Sequence, residues 1–218
     1  SETASIKAEA EKRGIDLKFS DAQQKQENQI KAVRSFIAQG VDGILLAPVV
    51  ETGWDQVLKE AKDAGIPVVL VDRGVAADED LYLTKVASDF VVEGALAAAW
   101  LAAETNGVCD VVELQGTVGS SAANDRKEGF ESVVGNFPAI NIIRSQSGDF
   151  TRSGGKEVME SFLKAEDGGK NICAVYAHND DMALGAVQAI KEAGLDPADD
   201  ILVVSIDAVP DIFKAMAD

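Results

Sequence analysis

Residues 173–194 read CAVYAHNDDMALGAVQAIKEAG, and two periodicities meet inside them. Cys173-Ala174-Val175-Tyr176-Ala177 is an apolar run of strand length. His178, Asn179, Asp180 and Asp181 follow at once. Met182, Leu184, Val187, Ile190 and Ala193 then recur at helical spacing, and Gly194 supplies a stop. A buried strand that empties polar side chains into a loop and turns directly into a helix is half of a βαβ unit. Ligands of open α/β sheets bind at the carboxyl ends of the strands. Asn179 and Asp180 therefore stand where a ligand would be read.

The same grammar recurs along the chain. Residues 5–14 form a helix-rich segment that stops at Gly14, and IDLKFSDA (15–22) reads as a strand. A helix over 28–39 carries Ile30, Val33, Phe36 and Ile37 on one face. VDGILLAPV (41–49) is nearly continuous in apolar residues, as a parallel strand buried on both sides requires. A helix over 54–64, strand IPVVLVD (66–72), strand LYLTKVASD (81–89) and an Ala-rich helix over 91–104 follow. Asn106-Gly107 marks a turn, after which the alternation restarts with CDVVELQG, AINIIRSQSG, the quoted stretch and ILVVSID. The expectation is an α/β protein with two doubly wound parallel sheets, divided at 1–104 and 105–218, and a cleft between two lobes. The first helix has no strand before it and the last stops within a turn or two, so residues 1–218 read as a portion of a longer chain.

Bulk properties narrow the function. A net charge of −17 argues against any role that depends on neutralising phosphates or anionic lipid, and leaves a neutral small molecule open. No apolar run reaches the length of a membrane span, and the N-terminus has no signal-peptide pattern. Cys109 and Cys173 each open an apolar run. On the residues alone they are buried free thiols, or a disulfide in an oxidising compartment if their strands are sheet neighbours.

The strand ends gather Asp72, Arg73, Arg126, Phe150, Asn179, Asp180 and Asp207. Asp and Asn fix hydroxyls, Arg donates a planar fork, and Phe packs on the C–H face of a sugar ring. That set suits a polyol, although strand-end Asp residues also serve simply as helix caps. Enzyme signatures are missing: GTVG (116–119) is not a dinucleotide fingerprint, and there is no phosphate loop or nucleophile elbow. The single histidine, His178, excludes a His-rich zinc site and reads as a hydrogen-bonded strand-end residue. Asp180, Asp181 and Asp207 could converge on a hard cation, but no spacing fixes such a site. No cofactor, metal or catalytic residue is expected.

Six stretches in order carry a resemblance: GVDGILLAPV (40–49), IPVVLVDR (66–73), VVELQGTVGSSAANDRKEGF (111–130), RSQSGDFTRSGGKEVMESF (144–162), VYAHNDDMALGAVQAIKEAG (175–194) and SIDAVPD (205–211). Together they resemble the substrate-binding proteins of sugar ABC transporters, ribose/galactose class. QQKQENQIKAVRSFIAQGVD (23–42), APVVETGW (47–54) and RSQSGDFTRS (144–153) are most similar to its galactofuranose-binding members. The resemblance implies two Rossmann-like lobes that close around one monosaccharide, galactofuranose or a related hexose or pentose. It implies ligand contacts from Asp72 and Arg73 in the first lobe and from Arg126, Phe150, Asn179 and Asp207 in the second. It also implies adjacent strands for Cys109 and Cys173, hence a disulfide. The protein would be a monomer that delivers its sugar to a membrane permease, located in the periplasm or anchored outside the cell. Ala208 departs from the family, which commonly has Gly there. Two alternatives are the effector-sensing core of a LacI-like repressor, which needs reduced cysteines and a DNA-binding segment, and a sugar-modifying enzyme.

Overall fold

A computed structural model describes residues 2–217. In chain order the elements are α1 (Glu2–Arg13), α2 (Gln26–Gln39), β1 (Ile44–Leu46), α3 (Asp55–Asp63), β2 (Val68–Val71), β3 (Thr84–Val86), α4 (Phe90–Glu104) and β4 (Val108–Gln115). They continue with α5 (Ser121–Val134), β5 (Ala139–Ser147), α6 (Arg152–Ala165), β6 (Ala174–Ala177), α7 (Asp180–Glu192), β7 (Leu202–Val204) and α8 (Pro210–Ala217). The strands form two sheets, β1-β2-β3 and β5-β4-β6-β7, and every pairing is parallel. Parallel neighbours need crossover helices, and the alternation supplies them.

The central strands of the second sheet, β4 and β6, are buried on both faces, which explains their apolar runs. On β4, Cys109 and Val111 point to one core with Ala98, Leu101, Phe130 and Tyr176. Val112 and Leu114 point to the other, with Met159, Val175, Met182 and Ile190. Each fully buried Val, Leu, Ile, Phe or Met among them contributes about 1.5–3 kcal/mol. Trp54, fully buried in the core of the first sheet, satisfies its indole N–H on the Val50 carbonyl at 2.7 Å. Cys109 and Cys173 form a disulfide across neighbouring strands, with Cα atoms 5.4 Å apart.

Two expectations change. Residues 15–22 join no ladder, because a strand needs a neighbour at its edge. Ile15, Leu17 and Phe19 instead line an apolar groove of about 880 Å³ that also touches Leu45 of β1. Helix α4, which the pattern grouped with the first sheet, packs on α5. A Cβ at Gly94 would lie 2.1 Å from the Arg126 carbonyl oxygen, and one at Gly129 would lie 2.0 Å from that of Val91. The two glycines let the helix backbones touch, and Ala97, Ala98 and Leu101 join the core of the second sheet.

Candidate functional site

Four of the helices that follow strands start with a polar cap, whereas α3 starts at Trp54 without one. The side chains of Asp89, Ser120, Thr151 and Asn179 accept from Val92, Ala123, Gly154 and Met182 N–H, opening α4, α5, α6 and α7. Such caps satisfy donors that a helix start leaves unpaired. Loops after the strands of the two sheets are bonded directly to each other. Glu51 N–H donates to the Gly119 carbonyl at 2.9 Å, Gly74 N–H to Ser121 Oγ at 2.8 Å, and Asn124 Nδ2 to Glu51 Oε2 at 2.6 Å.

Where those loops meet, the strand-end residues converge. From the first sheet, Arg73 lies 5.2 Å from the Phe150 ring centroid and donates to the Val49 carbonyl at 3.3 Å, with its Nε 3.8 Å from Asp72 Oδ2. From the second, Arg126 lies 5.9 Å from the same ring. Phe150 fits against Gly116, where a Cβ would meet the ring at 2.0 Å, so any larger residue there displaces the ring. The Arg126 side chain, 7% exposed, donates Nε–H to Glu93 Oε2 at 2.9 Å, Nη1–H to the His178 carbonyl at 2.8 Å and Nη2–H to Asp207 Oδ1 at 3.3 Å. Asn179 serves two neighbours: its Oδ1 caps α7, and its Nδ2 donates to the Phe150 carbonyl at 3.3 Å.

Asp180 behaves differently from the other strand-end acids. Its carboxylate accepts from Ser205 Oγ at 2.5 Å and Val209 N–H at 2.8 Å. It thereby holds the turn that presents Asp207, which makes it a structural brace. Asp181 pairs with Arg152 at 3.0 Å. Among the described residues no group of acidic, His or Cys side chains is placed to hold a metal ion.

Backbone strain collects here. Asp72, Phe150, Asp207 and Ala208 have φ of 64°, 57°, 116° and 61°. Non-glycine residues hold such angles only where surrounding contacts impose them, at about 1–3 kcal/mol each. Burial pushes the Asp72 carboxyl up from its ordinary value, with Arg73 and Arg126 pulling it back. Burial likewise raises Asp207, to about 6, opposed by Arg126 and reinforced by Asp180, Glu93 and Asp72.

Beneath Arg126 lies a fully buried pair. Gly116 N–H donates to His178 Nδ1 at 3.3 Å, so the ring proton sits on Nε2 and donates to Glu113 Oε1 at 3.1 Å. Burial lowers the His178 pKa and keeps the ring neutral. Burial alone would raise Glu113, but hydrogen bonds from His178, Ser145 and Lys127 outweigh it and hold the carboxyl at about 2. His178 is thus the hydrogen-bonded strand-end residue that the sequence suggested.

Three participants escaped the sequence reading: Glu93, Phe90, whose ring lies 5.0 Å from the Arg126 guanidinium, and the His178 carbonyl. A signal for the first two existed. ASDFVVEG (87–94) repeats the step from strand end to cap to helix that singled out Asn179.

Several known proteins are similar to this chain over nearly all of its length. The chain is 68% identical to the galactofuranose-binding protein of Escherichia coli (strain K12), over all of this chain and 69% of that protein. It superposes at a TM-score of 0.95 and 66% identity on the periplasmic binding protein component of the arabinose ABC transporter from Shewanella sp. ANA-3, bound to alpha and beta-L-arabinofuranose. That match covers 99% of this chain and 72% of the other. A Mycobacterium smegmatis structure in complex with beta-D-fucofuranose superposes at 0.94 with 51% identity, covering 99% and 71%. The family model described as a periplasmic binding protein domain matches residues 3–218, so the chain belongs to the periplasmic binding proteins.

Proposed function

We propose that this protein captures a monosaccharide in its furanose form and delivers it to the permease of an ABC importer. The observation that carries the reading is the convergence of Arg73 from one sheet and Arg126 from the other on the ring of Phe150. One apolar face flanked by planar donors and by Asp72, Asn179 and Asp207 suits a small ring bearing hydroxyls. Furanoses bound to the Shewanella and M. smegmatis proteins, and the galactofuranose named for the E. coli relative, support the same class.

In this reading the first lobe ends at β3 and the second begins with α4, because α4 shares its core with the second sheet. Asp72 and Arg73 hold hydroxyls from the first lobe. Arg126, Asn179 and Asp207 hold them from the second, and the sugar ring packs on Phe150. Capture is by closure. Sugar touches both lobes only when they meet, so binding favours the closed state. The bonds from Glu51 to Gly119, from Gly74 to Ser121 and from Asn124 to Glu51 join the loops in that state. A sugar lacking one matched hydroxyl leaves a buried polar group unpaired and is rejected. No covalent bond changes, in line with relatives named as binding proteins and transporter components.

The Cys109–Cys173 disulfide favours an oxidising compartment, here the periplasm, and disfavours a cytosolic LacI-like repressor. Monomeric capture suffices, since both lobes belong to one chain. The test is calorimetric titration of the full-length protein with L-arabinose, D-galactose, D-fucose and D-ribose, repeated with Arg126→Ala. Saturable binding of a sugar with furanose forms in solution, weakened at least about 100-fold by the substitution, is the expected result. A full-length protein that binds none of the panel sinks the proposal.

A further inference from the structure

The geometry points to Glu93 as a positioning residue for sugar recognition, acting through Arg126. A guanidinium carries five N–H donors in a fixed plane. In Arg126 one donor on each nitrogen is used: Nε on Glu93, Nη1 on the His178 carbonyl, Nη2 on Asp207. One N–H therefore remains on each terminal nitrogen, a fork suited to two oxygens of a ligand. Its aim depends on how the plane is turned about the Cδ–Nε bond.

The three partners do not hold that plane equally. The His178 carbonyl is fixed by the second sheet. The Asp207 contact is long, at 3.3 Å, and its carboxylate is itself a candidate ligand group. Glu93 makes the shorter carboxylate contact, 2.9 Å, on Nε, the nitrogen that joins the plane to the side-chain stem. The Phe90 ring, one turn earlier on α4, lies 5.0 Å from the same guanidinium. Glu93 is itself anchored: Ser88 Oγ donates to its Oε1 at 2.6 Å. Ser88 lies on the connection from β3 to α4, where the chain leaves the first sheet for the second. A continuous run of polar contacts, Ser88 to Glu93 to Arg126 to Asp207, thus ties the inter-sheet connection to the recognition fork. The carboxylate sets the orientation of Arg126 before any sugar arrives.

The inference rests on the sugar-binding reading, and two measurements on the full-length protein separate the two. Titration with whichever of L-arabinose, D-galactose, D-fucose or D-ribose the parent binds should show Glu93→Ala about 10–100-fold weaker. Glu93→Gln keeps an oxygen to accept from Nε and should recover most of that loss. Nitrogen-15 NMR of the sugar-free protein should show a protected Arg126 Nε–H signal, assigned by its loss in Arg126→Lys. That signal should persist in Glu93→Gln and vanish in Glu93→Ala, while both variants melt within a few degrees of the parent. Unchanged affinity in Glu93→Ala, equal losses in both variants, or a protected signal that survives in Glu93→Ala would overturn the assignment. A parent that binds none of the four sugars overturns the functional reading instead, and the NMR arm still decides whether Glu93 sets Arg126.

Discussion

Acidifying the solution from pH 7 to pH 5 should weaken sugar binding, with Asp207 as the main cause. Burial lifts its carboxyl to about 6, with Asp180, Glu93 and Asp72 adding to the lift and Arg126 opposing it. A sugar hydroxyl donates to the ionised carboxylate, so binding selects that form. A group with a pKa near 6 is about 90% ionised at pH 7 and about 10% at pH 5. The apparent affinity then falls up to about tenfold across that window. With its side chain 36% exposed, Asp207 is screened by water, and tenfold is a ceiling. Asp72, raised in the same direction, adds to the slope. The buried pair stays out of it: His178 remains neutral, and Glu113, held at about 2, remains ionised.

Stability of the sugar-free protein should move the other way. Asp207 binds its proton more tightly folded than unfolded, so its ionisation costs stability as pH rises from about 4 to about 6. The assay is titration calorimetry at pH 5, 6 and 7, with thermal melts of the sugar-free protein alongside. Asp207→Asn cannot titrate; it should bind more weakly but with a flatter profile. Parent affinity that is level from pH 7 to 5, or a variant with the full parental slope, refutes the reasoning.

Two further outcomes concern the scaffold. Ala208→Gly should stabilise the protein by about 1 kcal/mol, since φ of 61° strains alanine and not glycine; thermal melts that show no gain would remove the strain argument. Replacing both Cys109 and Cys173 with Ser reopens a 64-residue separation and should cost about 4 kcal/mol, read as a lower urea midpoint; an unchanged midpoint would show that the strands hold each other without the bond.

What the sequence made legible was whatever one segment settles by itself. Residues 173–194 carry a buried strand, a cap and a helix without reference to the rest of the chain, and the structure has them as β6, Asn179 and α7. Asp72, Arg73, Arg126, Phe150 and Asp207 were singled out the same way, and the structure brings them together around one ring and two guanidinium groups. Properties that depend on a distant partner were not legible. Residues 15–22 alternate as a strand should, but a ladder belongs to two segments. Helix α4 is apolar on nearly every side, so its own periodicity names no sheet. Its allegiance is fixed by Gly94 meeting the backbone at Arg126. Asp180 and Asp207 look alike as strand-end acids. Only the Ser205 hydroxyl and the Val209 amide distinguish a brace from an acid that meets Arg126. Glu93 belongs with these. On its own helix it is an ordinary first-turn acid, and its meaning comes from an arginine 33 residues away. The residues that contact a ligand can be sought at strand ends, whereas those that aim them lie wherever the fold brings a second partner to the first.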